Sequence, residues 1–350
     1  MSTLKVNTIN AATSGQAVAV DVQNPRSFRN LIINGSQDID QRNSGSEVNP
    51  VVHAACVTDR FKFDLSQASK LKAQQVSDGP TGFTKSLKIT SLAATTPGAS
   101  DYYILQHIIE GLSSAHLGWG ASGAKTVTLS FWVKSSLTGT FGAAIRNNAH
   151  DRTNVQTYAI SSADTWEKKT ITFTGDTSGT WLTTNGVGLR VGWDLGGGTN
   201  FDAASTGSWL ATNDFTTSSC THVVSTNAAT WQITGVQLEV GSYVTDFEHR
   251  SYQDELARCQ RYYWQSPGDF VYYSRQYNNS NRMTTIMHPQ EMRAIPTETL
   301  TYDGGTGPLT TWSDSDNKSE SNRYWQGYDG HDYDAGSVTK VRLAQFSAEL

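Results

Sequence analysis

The 350-residue chain has little charge: Asp, Glu, Lys and Arg together make up only 17% of it. What charge there is leaves a net −5, so no basic surface argues for a nucleic-acid partner. There are only three cysteines, Cys56, Cys220 and Cys259. They are far apart, and no CxxC or His/Cys cluster surrounds them. They read as reduced thiols rather than a metal or redox centre, and no cofactor is expected. No apolar run approaches the length of a membrane span, which argues against membrane insertion. The first ten residues lack the basic and apolar regions of a secretory signal, so synthesis and folding in a cytosol are expected.

Catalytic motifs are equally scarce. GxSxG, HExxH and a phosphate-cradling loop do not occur. Gly196-Gly197-Gly198 leads into no helix and reads as a turn. Asp38/Asp40 and Glu248/His249 are sequence neighbours, but their spacing singles out no acid and base pair. A long β-helix of short repeats would show a regular period, and no such period is present. The expectation is a protein that is not an enzyme.

What the chain does have is glycine (30), tryptophan (10) and tyrosine (14). Low charge with many β-branched, aromatic and glycine residues points to an all-β fold. Residues 1–27 hold two short alternating runs around a Thr-Ser-Gly turn. A lone hairpin is marginal in water, so this piece reads as an attachment arm that docks on another surface. Within 28–250, strand patterns recur at 60–65, 70–77, 85–92 and 102–109. In "KTVTLSFWVKSS", Val127, Leu129, Phe131 and Val133 share one face, with Thr128, Ser130, Trp132 and Lys134 on the other, as in a strand buried on one side. "GVGLRVGWDL" repeats the pattern with Arg190 on its polar face. In "TWQITGVQLEVG" the parity changes at Thr234-Gly235, which predicts a β-bulge. These strands predict two packed antiparallel sheets in jelly-roll order. Residues 251–264 place Tyr252, Leu256, Cys259 and Tyr263 on one helical stripe, with Ser251 as N-cap. That predicts a linker helix. Residues 265–350 return to β and predict a small C-terminal β domain with a thin core.

Four stretches, "FRNLIINGSQDIDQRN", "TLSFWVKSSLTGTF", "WQITGVQLEVGSYVTDFEHRSYQDELARCQRYYW" and "HPQEMRAIPTETL", resemble virion proteins of tailed bacteriophages, especially tail-fibre and receptor-binding proteins. The middle region resembles carbohydrate-binding-module jelly rolls. The resemblance spans about 28–300. It implies a trimeric fibre, contact with other virion proteins through residues 1–27, and recognition of a host cell-surface glycan by the distal end. A capsid head fibre or decoration protein, and a glycan-degrading fibre, are the alternatives.

Sugar recognition needs flat aromatic faces together with amides, carboxylates and guanidinium groups for the hydroxyls. The jelly-roll candidates are Trp132 and Arg190, with Gln106, His107 and Glu110 from "YYILQHIIEG". The competing reading has Trp132 packed under a loop or at a subunit interface and Arg190 merely solvating the sheet. In the last domain, "NRYWQGYDGHDYD" gathers Tyr324, Trp325, Tyr328, Asp329, His331 and Tyr333 on what reads as a glycine-containing loop. It is either a receptor-contacting tip or a packing surface between subunits. Asp329, Asp332 and Asp334 lack the spacing of a strong calcium loop.

Overall fold

A computed structural model describes residues 29–266, 270–271, 275–278, 281–302, 319–320, 323–329 and 340–350. The expected arm, 1–27, lies outside the described residues, as do His331 and Tyr333.

Eleven strands build the main body: β1 (Phe61–Leu65), β2 (Leu71–Val76), β3 (Ser86–Ser91), β4 (Tyr102–Glu110), β5 (Val127–Ser135), β6 (Gly139–Arg146), β7 (Thr153–Ile160), β8 (Glu167–Phe173), β9 (Val187–Gly197), β10 (Trp209–Leu210) and β11 (Thr230–Val240). A single helical turn, α1 (Gly111–Ser114), follows β4. One sheet runs β1-β4-β9-β6-β7-β10 and the other β2-β3-β11-β5-β8. Every ladder pair in both sheets is antiparallel. This is the expected jelly-roll-like sandwich, with three strands, β6, β7 and the two-residue β10, that the sequence pattern did not single out.

Alternation explains the core. Phe61, Phe63, Leu105, Phe141, Ile145, Val191 and Trp193 point inward from the six-stranded sheet; Leu71, Ile89, Phe131, Val133, Trp231 and Leu238 do so from the five-stranded sheet. Phe131 crosses the gap, with its ring centroid 5.8 Å from Trp193 and 5.1 Å from Tyr158. These edge-on contacts key the two sheets to one relative position. The expectation that β5 is buried on one side alone is corrected: Thr128 and Ser130 on its other face are also buried. The Thr128 hydroxyl donates to Gly241 O at 2.8 Å, so the chain after β11 closes over that face.

Residues 29–45 form an irregular brace rather than a strand. The Asn30 amide donates to Val236 O (3.0 Å), and its Oδ1 accepts from the N–H groups of Ile32 and Leu238 (3.0 Å each). Asn34 sits at φ +61°, a conformation Asn tolerates. Its amide donates to Ile39 O and Asp59 O. The brace lies over the bulge in β11, where the register against β5 shifts between Thr234 and Gln237 as expected. Gly235 there has φ +60°, and a Cβ on Gly35 would sit 2.1 Å from Val236 O.

The helix α2 (Tyr252–Gln260) starts on Ser251, whose side chain accepts from Asp254 N at 3.2 Å. Its buried face differs from the expected stripe. Tyr252 is exposed, and Glu255 and Cys259 are buried. Glu255 turns inward because the Asn34 N–H and Arg250 both donate to its carboxylate. Beyond α2 come β12 (Tyr263–Gln265), β13 (Phe270–Val271), β14 (Arg275–Asn278), β15 (Asn281–Met287), β16 (Thr297–Tyr302), β17 (Ser319–Glu320), β18 (Tyr324–Asp329) and β19 (Lys340–Ser347). They make two small sheets, β12-β19-β13 with β16 beside β19, and β14-β15-β18-β17. Tyr324, Trp325, Tyr328 and Asp329 therefore stand on a strand, in register with Met287, Ile286, Met283 and Arg282, and not on the expected loop. The backbone's need for ladder partners outweighed the turn signal of the glycines.

The chain end returns to the sandwich. Glu349 pairs with Arg42 (3.0 Å) and with Arg60, and Lys62 Nζ donates to Leu350 O at 2.8 Å. Burial raises the Glu349 pKa, but Arg60 and Arg42 more than offset this and hold it below the usual carboxylate range.

Candidate functional site

The outer face of the six-stranded sheet is covered at both ends by other parts of the chain. At one end the 199–217 loop folds over it. Phe215 packs on Ile104, Ala144 and Val155, with Tyr102 and Phe201 partly buried beside them. At the other end Arg60 lies over the Tyr262 ring at 3.5 Å and donates to Ile108 O at 2.6 Å. The tail at Leu350 covers Lys62. The strip between, the trough, is lined by buried and half-buried residues. Alternation assigns its residues: Lys62 and Asp64 from β1, Gln106 and Ile108 from β4, Arg190 and Gly192 from β9, and Ala144 and Arg146 from β6 face away from the core. Gly192, opposite both Gln106 and Ala144, keeps the middle low.

Gln106 and Arg146 form the floor, each 2% exposed. Asp64, Arg190 and Tyr102 are half-buried at the rim, together with His150 from the β6–β7 turn. Arg146 donates to Asn213 Oδ1 at 2.9 Å and lies 5.6 Å from the Phe215 ring. Several polar atoms of the trough have no protein partner: Gln106 Oε1, Arg146 Nη2 and Arg190 Nε. Unsatisfied buried donors and acceptors are uncommon in folded proteins and call for an explanation. Burial, with a further contribution from Arg190, pushes the Arg146 pKa down to about 10 against the pull of Asp64. Burial lowers Arg190 too. His150 falls to about 4 through burial and the nearby Arg146 and Arg190. Burial and the Asp64 carboxylate raise the Tyr102 phenol.

The structure brings together two of the sequence candidates, Arg190 and Gln106, and separates the rest from them. Trp132 points from the outer face of the other sheet. A Cβ on Gly235 would sit 2.9 Å from its Cδ1 and 2.7 Å from Phe83 Cζ, so it packs in the cover formed by Phe83, Phe247 and His249. Parity alone put it beside Arg190, but two sheets have two polar faces. Glu110 is 2% exposed and committed elsewhere: it accepts from Arg261 at 3.0 and 2.7 Å and from the Tyr262 hydroxyl at 2.8 Å. His107 turns into the core against Phe61, and its Nε2 meets the Ile33 backbone at 3.1 Å. Asp64, Arg146, His150 and Tyr102 were not anticipated. For Arg146 the signal was present in "GTFGAAIR", where Phe141, Ala143 and Ile145 alternate with Gly142, Ala144 and Arg146.

Comparison with known proteins finds no matching family model and no matching curated sequence. Solved structures do share the sandwich. A CBM4 structure is 18% identical with a TM-score of 0.31, covering 60% of this chain and 99% of its own. A sugar-binding protein assigned in Bacteroides thetaiotaomicron is 13% identical with a TM-score of 0.34, covering 61% of this chain and all of its own. The enzymatically active domain of bacteriophage CBA120 tailspike protein 4 is 13% identical with a TM-score of 0.32, over 61% of this chain but only 22% of that one. The fold follows from strand order and register, not from these likenesses.

Proposed function

We propose that this protein is a non-enzymatic glycan-binding component of a bacteriophage virion. In this reading it is a fibre subunit, present as a homotrimer, that grips host-surface saccharide in the trough of the six-stranded sheet. The observation that carries the reading is a bounded strip whose floor holds a buried amide oxygen and buried guanidinium N–H groups without protein partners, which a saccharide would reach by displacing the half-buried Arg190 and His150 above them. Saccharide hydroxyls both donate and accept and would satisfy them. Tyr102 and Phe201, with centroids 5.8 Å apart, give one end an apolar wall. A shallow site of this kind binds weakly, and several copies on one particle would raise avidity by roughly 10²–10⁴. The resemblance of residues 28–300 to tail-fibre proteins supports the virion assignment.

The test is a glycan array with purified protein, followed by competition against phage adsorption. Saccharide binding that weakens about tenfold in Gln106→Met, with its lost amide contact, and blocked adsorption support the reading. Binding to particles and not to cells would favour a decoration protein. Release of reducing ends from host polysaccharide would make it an enzyme.

A further inference from the structure

We infer that the trough takes an acidic saccharide, with the ligand's carboxylate or sulfate held between Arg146 and Arg190. The inference rests on the glycan reading and names its ligand class. The two arginines stand directly opposite each other across the β6–β9 ladder. Like charges in that relation repel. Several other buried or half-buried arginines have a carboxylate: Arg42 has Asp59, Arg152 has Asp176, Arg250 has Glu248, and Arg261 has Glu110; Arg29 and Arg293 lack one but donate to two or three hydroxyl or backbone oxygens each. Among the described residues, Arg146 and Arg190 form no ion pair. The one carboxylate acting on both is Asp64.

The trough thus carries two guanidinium groups against one carboxylate in a protein whose net charge is −5. Arg146 has a free Nη2 while 98% of the residue is buried. An uncompensated buried cation is costly, and nothing in the fold requires one here: β6 already packs through Phe141, Ala143 and Ile145. A bound anion removes the repulsion and satisfies the free N–H groups. Arginine's planar fork suits a carboxylate or sulfate group, and charge-assisted bonds of this type are among the strongest a site can make. The lowered His150 reports the same field and gives it a spectroscopic handle.

The experiment uses the full chain and paired probes: galacturonate and hyaluronan oligosaccharides, and the same oligosaccharides with every carboxylate reduced to an alcohol. Titration calorimetry should show at least one acidic probe binding about tenfold or more tighter than its reduced partner, with the preference shrinking as salt is raised. Arg146→Met and Arg190→Met should each abolish that preference. Arg146→Met should melt no lower than wild type, since it removes a repulsive charge. Binding of an acidic probe should also raise the His150 pKa, followed by NMR. Equal affinity for acidic and reduced probes, or binding of neutral glycans alone on the array, overturns the acidic-ligand inference and leaves the glycan reading standing. No saccharide binding at all overturns both.

Discussion

Glu110→Gln tests the division between trough and scaffold. The sequence placed Glu110 among the glycan contacts; the structure gives its carboxylate to Arg261 and Tyr262. Glutamine keeps the size and one acceptor but removes the charge and half of the bidentate contact. A net hydrogen bond to a charged partner contributes about 1.5–3 kcal/mol, and breaking a fully buried pair costs about 3–5 kcal/mol. The Arg261 side chain is 33% exposed, so water takes over part of its charge once the partner is gone. The expected loss is therefore near the lower figure, about 2 kcal/mol. At roughly 2–4 °C per kcal/mol for a chain of this size, the melting temperature should fall by about 4–8 °C. Arg261→Met and the double variant complete a mutant cycle, where a coupling energy of about 1 kcal/mol or more is expected for residues in direct contact. Saccharide affinity should stay unchanged, because Glu110 lies beyond the trough under the α2–β12 connection. A variant that keeps its stability and loses affinity refutes this assignment.

Two further perturbations probe the frame around the site. Gly35→Ala puts a methyl group against Val236 O and should cost roughly 1–3 kcal/mol, read by chemical denaturation; an unchanged midpoint would mean the brace does not lie on the bulge as described. Asp194 is pushed up to about 6 by burial, partly countered by His222 and by bonds from Thr216 and Gly196 N. Because the folded value lies above the unfolded one, this group favours the folded state at acid pH, and its contribution falls as pH rises from about 4 to about 6. Asp194→Asn should flatten the stability profile across that window, and an unaltered slope would show that Asp194 does not carry it.

Much of the sandwich was legible because strand alternation is a local signal. Val127 to Val133 and Val187 to Leu195 show their inward faces in plain sequence, and the parity break at Thr234-Gly235 marks the bulge. β6 and β7 were harder. "GTFGAAIR" carries small residues on both faces, which blurs the period, and "TNVQTYAI" points Asn154 inward opposite Ile145. The site was less legible because it depends on which strands become neighbours. Arg146 and Arg190 are 44 positions apart and meet only through the β6–β9 ladder. Trp132 and Arg190 share a polar parity but belong to different sheets. Glu110 looked available until Arg261 arrived from beyond α2, a pairing over 151 positions. Asn30 and Asn34 carried no signal of their own; Asn30 serves as a backbone surrogate along β11 where β3 no longer pairs with it.

The brace also decides where a mechanical load would enter the domain. A pull on the chain ahead of Arg29 meets at once the bonds that Arg29 donates to Thr245 Oγ1 and Asp246 O, that Asn30 donates to Val236 O and, through its N–H, to Glu248, and that Leu238 N–H donates to Asn30 Oδ1. All of these end on β11 beyond Ile233, where β3 no longer pairs with it and β5 is its remaining ladder partner, or on the segment just after it. Tension is therefore spread over many short bonds between the brace and a strand that β5 holds from its other side.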